Sequence, residues 1–123
     1  MGEVKVTGEG LNGLGWTIKS LVDRNMGNPK IWDSIKKIKG SLVVTEAGAN
    51  IAVTVFFDSG EIKIQDSAVK KPSAWVSAGF DELAMLTSGQ IGPIRALLFG
   101  KIKAGGNLLK LLKMAKALID QEK

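Results

Sequence analysis

Very few residues in this chain could do covalent chemistry. It contains no His and no Cys. The commonest general base, the commonest metal ligand and the thiolate nucleophile are therefore missing together. A nucleophile would have to be a Ser or Thr served by a Lys or a carboxylate. Asp81 and Glu82 adjoin, but neighbours on a helix project about 100° apart and need not share a site. Asp58, Glu61 and Asp66 flank a hairpin signal and read as turn and solvent residues. A calcium loop needs a denser set of oxygen ligands. Gly8-Glu9-Gly10-Leu11-Asn12-Gly13 has the spacing Gly-x-Gly-x-x-Gly. In a dinucleotide fold those glycines let a pyrophosphate approach a helix N-terminus. Here a second parallel strand should follow the helix, yet Pro29 to Ile38 reads as another helix. A flexible lead into a helix is the expected role. The expectation is no catalysis, no cofactor and no metal.

What the chain has instead is aliphatic bulk and unevenly placed charge. Hydrophobic residues make up 45% and charged residues 24% of its 123 residues, ordinary values for one globular domain. A single domain over 1–123 is expected, with 1–10 as an edge strand or a loose arm. No run of about 18 apolar residues could span a membrane. The N-terminus lacks the apolar region of a secretory signal, and Val6 stands where a myristoylation site needs Ser or Thr. A cytoplasmic protein is expected. Residues 1–88 carry 10 Lys/Arg against 10 Asp/Glu, while residues 89–123 carry 7 against 2, so the whole net charge of +5 sits in the C-terminal segment. Membrane surface, anionic lipid headgroup and nucleic acid all carry the complementary charge.

The elements follow from periodicity. Leu14, Ile18, Leu21, Val22 and Met26 recur at helical spacing, with Trp16 alongside. Gly27-Asn28-Pro29 ends that helix and opens a second over Lys30–Lys39. Ser41–Glu46, Ile51–Phe57 and Glu61–Gln65 alternate and are joined by short turns, which predicts an antiparallel meander. A fourth strand is expected over Ser73–Ser77 and a helix over Phe80–Ser88, closed by Gly89. Ile94–Phe99 reads as a helix and Lys101–Ala104 as a fifth strand. Gly105-Gly106 reads as a turn. Asn107 is a good N-cap for a last helix, Leu108–Ile119. Helices gathered on one side of a mostly antiparallel five-stranded sheet make an α+β layer.

Residues 70–113 resemble the sterol carrier protein type two family, the non-specific lipid-transfer fold. The likeness runs through Lys70-Lys71, Ser73–Ser77, Phe80-Asp81-Glu82-Leu83-Ala84-Met85-Leu86 and Ser88-Gly89. It continues through Pro93, Leu97-Leu98, Phe99-Gly100-Lys101-Ile102-Lys103 and Gly106-Asn107. The resemblance implies a five-stranded sheet covered on one face by helices, with an apolar tunnel between the layers. It also implies non-covalent carriage of fatty acids, acyl-CoAs, phospholipids or sterol-like lipids. Gln90 and Gly92 stand where members often carry Lys and Asn, which leaves the headgroup preference open. The final Asp120-Gln121-Glu122-Lys123 lacks the peroxisomal address of eukaryotic members.

Resemblance and apolar pattern together nominate a lining. It comprises Trp16 on the first helix, Phe57 on the second meander strand, and Met85 and Leu86 on the third helix. Ile94, Leu97, Leu98 and Phe99 follow, then Ile102, then Leu108, Leu111 and Leu112 on the last helix. Lys110, Lys113 and Lys116 are the expected membrane-surface residues. At about 0.8 kcal/mol per buried methylene, a palmitoyl-length chain could gain ~12 kcal/mol gross, against association costs of at least ~4 kcal/mol. The expected partners are a lipid or fatty-acyl ligand and, peripherally, an anionic membrane, with no nucleic acid. The alternative is an interaction module whose apolar helices dock an acyl-chain-metabolising enzyme or form a homodimer.

Overall fold

Alternation builds the sheet. The computed structural model of the chain describes residues 4–7, 13–92, 95–96 and 100–118. In β3 (Ile51–Asp58), Val53, Val55 and Phe57 point to one face and are buried. β2 (Lys39–Glu46) runs antiparallel to it, with Leu42 opposite Val55 and Val44 opposite Val53. β4 (Glu61–Asp66) completes the meander, Ile64 facing Val55 and Ile62 facing Phe57. Its turn has Ser59 at φ 52° and Gly60 at φ 100°, both positive as a two-residue hairpin demands. A Cβ on Gly60 would lie 2.6 Å from the Trp32 ring. The ring of α2 (Pro29–Ile35) thus rests on a position that admits only glycine.

β5 (Ala74–Ala78) pairs in parallel with β2, so the chain must cross the sheet to reach it. The link between β4 and β5 passes over the face opposite the core and is pinned by Thr54. The Thr54 hydroxyl donates to the Ser67 carbonyl (2.7 Å) and accepts the Val69 N–H (3.1 Å). Ser41 and Ser73 then exchange two bonds, each backbone N–H donating to the other's hydroxyl at 3.1 Å. β6 (Lys103–Gly106) lies antiparallel on β5. β1 (Val4–Thr7) lies parallel on β4 at the other edge. The strand order is β1-β4-β3-β2-β5-β6.

Helices α1 (Gly13–Met26), α3 (Phe80–Thr87) and α4 (Leu108–Ala115) complete the described elements. α1 buries Ile18, Val22 and Met26, four residues apart, and touches β3 and β4. α4 buries Leu111 and Met114 and touches β2, β5 and β6. The buried polar residue Asn25 ties the two helices' ends together. Its Nδ2 donates to the Ala117 carbonyl at 2.8 Å.

The mostly antiparallel α+β sheet with helices on one face is as expected. Its five anticipated strands are present, and β1 adds a sixth at the edge. Of the boundaries that differ, three have a visible cause. The expected strand Lys101–Ala104 lies two residues later, because the Trp75 indole covers Gly105, where a Cβ would fall 2.6 Å from Nε1. The glycines therefore extend the strand, and the turn falls at Gly106 (φ 82°) and Asn107, whose N–H reaches the Ser73 carbonyl at 2.8 Å. The second helix stops at Ile35 rather than Lys39, since Lys39 already pairs with Asp58. The last helix stops at Ala115, where Ala117 and Leu118 bond back three residues instead of four. Gly8 to Asn12 of the glycine motif and most of the expected helix Ile94–Phe99 fall outside the described residues.

Candidate functional site

The helices do not fill the face that they cover. α1 seals β3 and β4. Over β2, β5 and β6 a cavity of ≈ 660 Å³ remains, bounded by the first turns of α1, by α3 and by α4. Its floor is Leu42 and Val44 of β2, Val76 of β5 and Ala104 of β6. These are in register, Val44 opposite Val76 and Val76 opposite Ala104. Leu14 and Ile18 form the α1 side, Leu83 and Leu86 the α3 side, and Leu108, Leu111, Leu112 and Ala115 the α4 side. Gly13, Thr17, Ala49, Phe80, Ala84 and Leu108 line it and also reach solvent.

Local sequence explains the α4 wall. Asn107 Oδ1 accepts the Lys110 N–H at 3.1 Å and starts the helix, satisfying a donor that the first turn leaves open. Leu108, Leu111, Leu112 and Ala115 then recur at three- and four-residue spacing and share one face. Of the lysines in this segment, Lys110 reaches across to the start of β2, its Nζ donating to the Lys39 carbonyl at 2.8 Å. Lys113 and Lys116 are exposed, as is Leu109 at 74%.

The lining is almost wholly apolar. Among the described residues Glu46 is the only ionisable side chain in it, and Thr17 the only other polar one. No group of three or more Asp or Glu side chains that could hold a metal occurs among the described residues. An arrangement of this kind can solvate an apolar molecule.

Of the residues nominated from sequence, Leu86, Ile102, Leu108, Leu111 and Leu112 line the cavity. Phe57 is buried in the core on the same sheet face and does not line this cavity. Met85 is half-buried and Trp16 is 53% exposed; neither reaches the cavity. Trp16 sits two residues before the buried Ile18, which on a helix places it on roughly the opposite side. Ile94, Leu97, Leu98 and Phe99 lie outside the described residues. The sequence reading missed most of the lining, among it the floor of Leu42, Val44, Val76 and Ala104, the α1 residues Leu14 and Ile18, and Phe80, Leu83 and the acidic Glu46. Strand alternation marks the floor residues as inward, but it does not say which part of the face a helix leaves uncovered.

Residues 18–119 match the profile of the SCP-2 sterol transfer family. The chain belongs to that family. The match takes in α3, α4 and every strand from β2 to β6, and so most of the cavity of this SCP-2 chain; Gly13, Leu14 and Thr17 precede it. No curated protein matches the sequence. Among solved structures, a ubiquinone synthesis protein described as UbiJ-SCP2 aligns with a TM-score of 0.70 at 15% identity, over 85% of this chain and 92% of that one. Sterol carrier protein domain 2 of Helicoverpa armigera aligns at 0.65 and 19%, over 94% and 98%. Palmitated SCP2L2 of Aedes aegypti aligns at 0.61 and 18%, over 83% and 90%. At these identities the likeness is one of fold.

Proposed function

We propose that this SCP-2 chain binds one elongated lipid, tail inward, in the cavity over β2, β5 and β6, and carries it without covalent chemistry. The observation that carries the reading is a cavity of ≈ 660 Å³ walled by aliphatic side chains, within the ~300–1,000 Å³ range of small-molecule sites. Apolar walls disfavour water, so a flexible hydrocarbon is the occupant that they suit. Palmitate in the Aedes aegypti neighbour supports the same class of tail. Exchange would take place at anionic membranes, through Lys113 and Lys116 around the exposed Leu109.

The test begins with organic extraction of the purified protein and mass spectrometry of the extract, which should recover acyl chains. A delipidated sample is then titrated with palmitate, hexadecanol, a sterol and a phospholipid. A lipid present at about 100 times its dissociation constant adds ~2.7 kcal/mol of stability, a rise of several degrees in Tm. A clean extract, no shift with any of these lipids and a dimeric mass in solution would replace this reading with the interaction module.

A further inference from the structure

We infer that Glu46 makes this cavity a site for lipids with a hydroxyl or a cationic head, and turns away free fatty acids and other lipids whose head is an anion. The inference rests on the lipid-site reading above and concerns which lipid that site takes.

Glu46 is the last residue of β2, paired with Ile51 on β3 and Ala78 on β5. It shares strand parity with Leu42 and Val44, so its side chain stands on the cavity face, and it is half-buried in the lining. One carboxylate oxygen accepts the Ala49 N–H and closes the β2–β3 turn. That is the side chain's one hydrogen bond among the described residues, and no Lys or Arg described there forms an ion pair with it. Each carboxylate oxygen offers more than one lone pair, so acceptor capacity remains for a ligand. Thr17, whose hydroxyl donates to the Gly13 carbonyl at 3.0 Å, likewise keeps acceptor capacity in the lining. Among the described residues the cavity therefore offers acceptors and negative charge, no cation, and as side-chain donor only the Thr17 hydroxyl, which is engaged with the Gly13 carbonyl.

The ligand's polar end must meet that pattern. A hydroxyl or ammonium head supplies the donors, and a hydrogen bond to an ionised acceptor is among the strong ones. A carboxylate or phosphate head at the rim of the cavity would place like charge within a few ångströms of the Glu46 carboxylate, a repulsion that outweighs thermal energy at that range. Lys110, which a fatty acid could seek, lies near Lys39 at the other end of β2, roughly 23 Å away at the ordinary rise of a strand. Its Nζ is already bonded to the Lys39 carbonyl. The head selection thus runs against the net positive charge of the whole chain.

The test compares palmitate, hexadecanol and hexadecylamine, which share a tail, on the delipidated full chain and on Glu46→Gln. The amide oxygen of Gln still accepts the Ala49 N–H, so the turn is kept while the charge is removed. Affinities are read by displacement of an uncharged fluorescent lipid. The parent should bind palmitate at least about tenfold more weakly than hexadecanol, a difference of about 1.4 kcal/mol. In Glu46→Gln that gap should close, and the preference for hexadecylamine over palmitate should shrink with it. A parent that binds palmitate as tightly as hexadecanol, as a fatty acid lying the other way round would, overturns the inference. A ratio unchanged in Glu46→Gln does the same. If neither protein binds any of the three, the lipid-site reading fails and the head selection falls with it.

Discussion

Leu112 puts the cavity reading to the test at a single side chain. It is half-buried, lines the cavity and is not one of the buried core residues. Leu112→Glu should abolish the lipid-induced rise in Tm while leaving far-UV circular dichroism unchanged, because a carboxylate in the wall must be hydrated and hydration displaces the tail. A full shift in this variant would place the lipid elsewhere. Asn25 tests the frame around the site instead. Asn25→Leu removes the donor to the Ala117 carbonyl and should lower stability by about 1–3 kcal/mol, measured as a reduced urea midpoint at unchanged slope. At this scale the sequence was legible where spacing alone decides. Leu108, Leu111 and Leu112 line the cavity because they share a helix face. Phe57 has the parity of Val55, yet whether an inward residue meets a cavity or a helix depends on α1, which is remote in sequence.

α4 is the element on which wall and surface meet. Leu109, Lys113 and Lys116 are spaced four and three residues apart and stand outward together. Lys110 is held back by its bond to Lys39. The combined variant Leu109→Ser, Lys113→Gln, Lys116→Gln should therefore lose binding to anionic vesicles at low salt. Each lysine contributes up to ~1 kcal/mol near such a surface. Binding by the parent should fall as salt rises. Co-sedimentation equal to the parent would mean that this face is only solvated. Residue type alone marks Asn107 as the cap of α4, and it caps. Residue type alone marks Gly105-Gly106 as a turn; Gly105 instead lengthens β6, and the chain turns at Gly106 and Asn107. The reason is Trp75, one strand away and some thirty residues back in the chain, whose indole needs a bare backbone beneath it. Local chemistry is legible from local sequence; a demand made by a neighbouring strand is not.

For the molecule as a whole, the division of labour across the sheet predicts where binding is felt. β3 and β4 lie under α1, with Val53, Val55, Ile62 and Ile64 all 0% exposed. The cavity borders α3 and α4. Amide hydrogen exchange on delipidated and lipid-loaded protein should show protection gained in α3 and α4 and little change in β3 and β4. A uniform gain would mean that the lipid stabilises only the global fold. The crossing link pinned by Thr54 carries a further consequence, this one in time. β5 can be laid parallel to β2 only by a chain that crosses the paired backs of β3 and β2, so that surface must exist first. The meander closes through short local turns, whereas β5, β6 and α4 close long loops, and long-range pairing is the slow kind. The binding half of the molecule is thus the late half in refolding. Trp32 rests on the meander hairpin at Gly60, and Trp75 rests on β6 at Gly105. In stopped-flow experiments on single-tryptophan variants, Trp32 should reach its native emission before Trp75. Coincident traces would mean that floor and frame condense in one step.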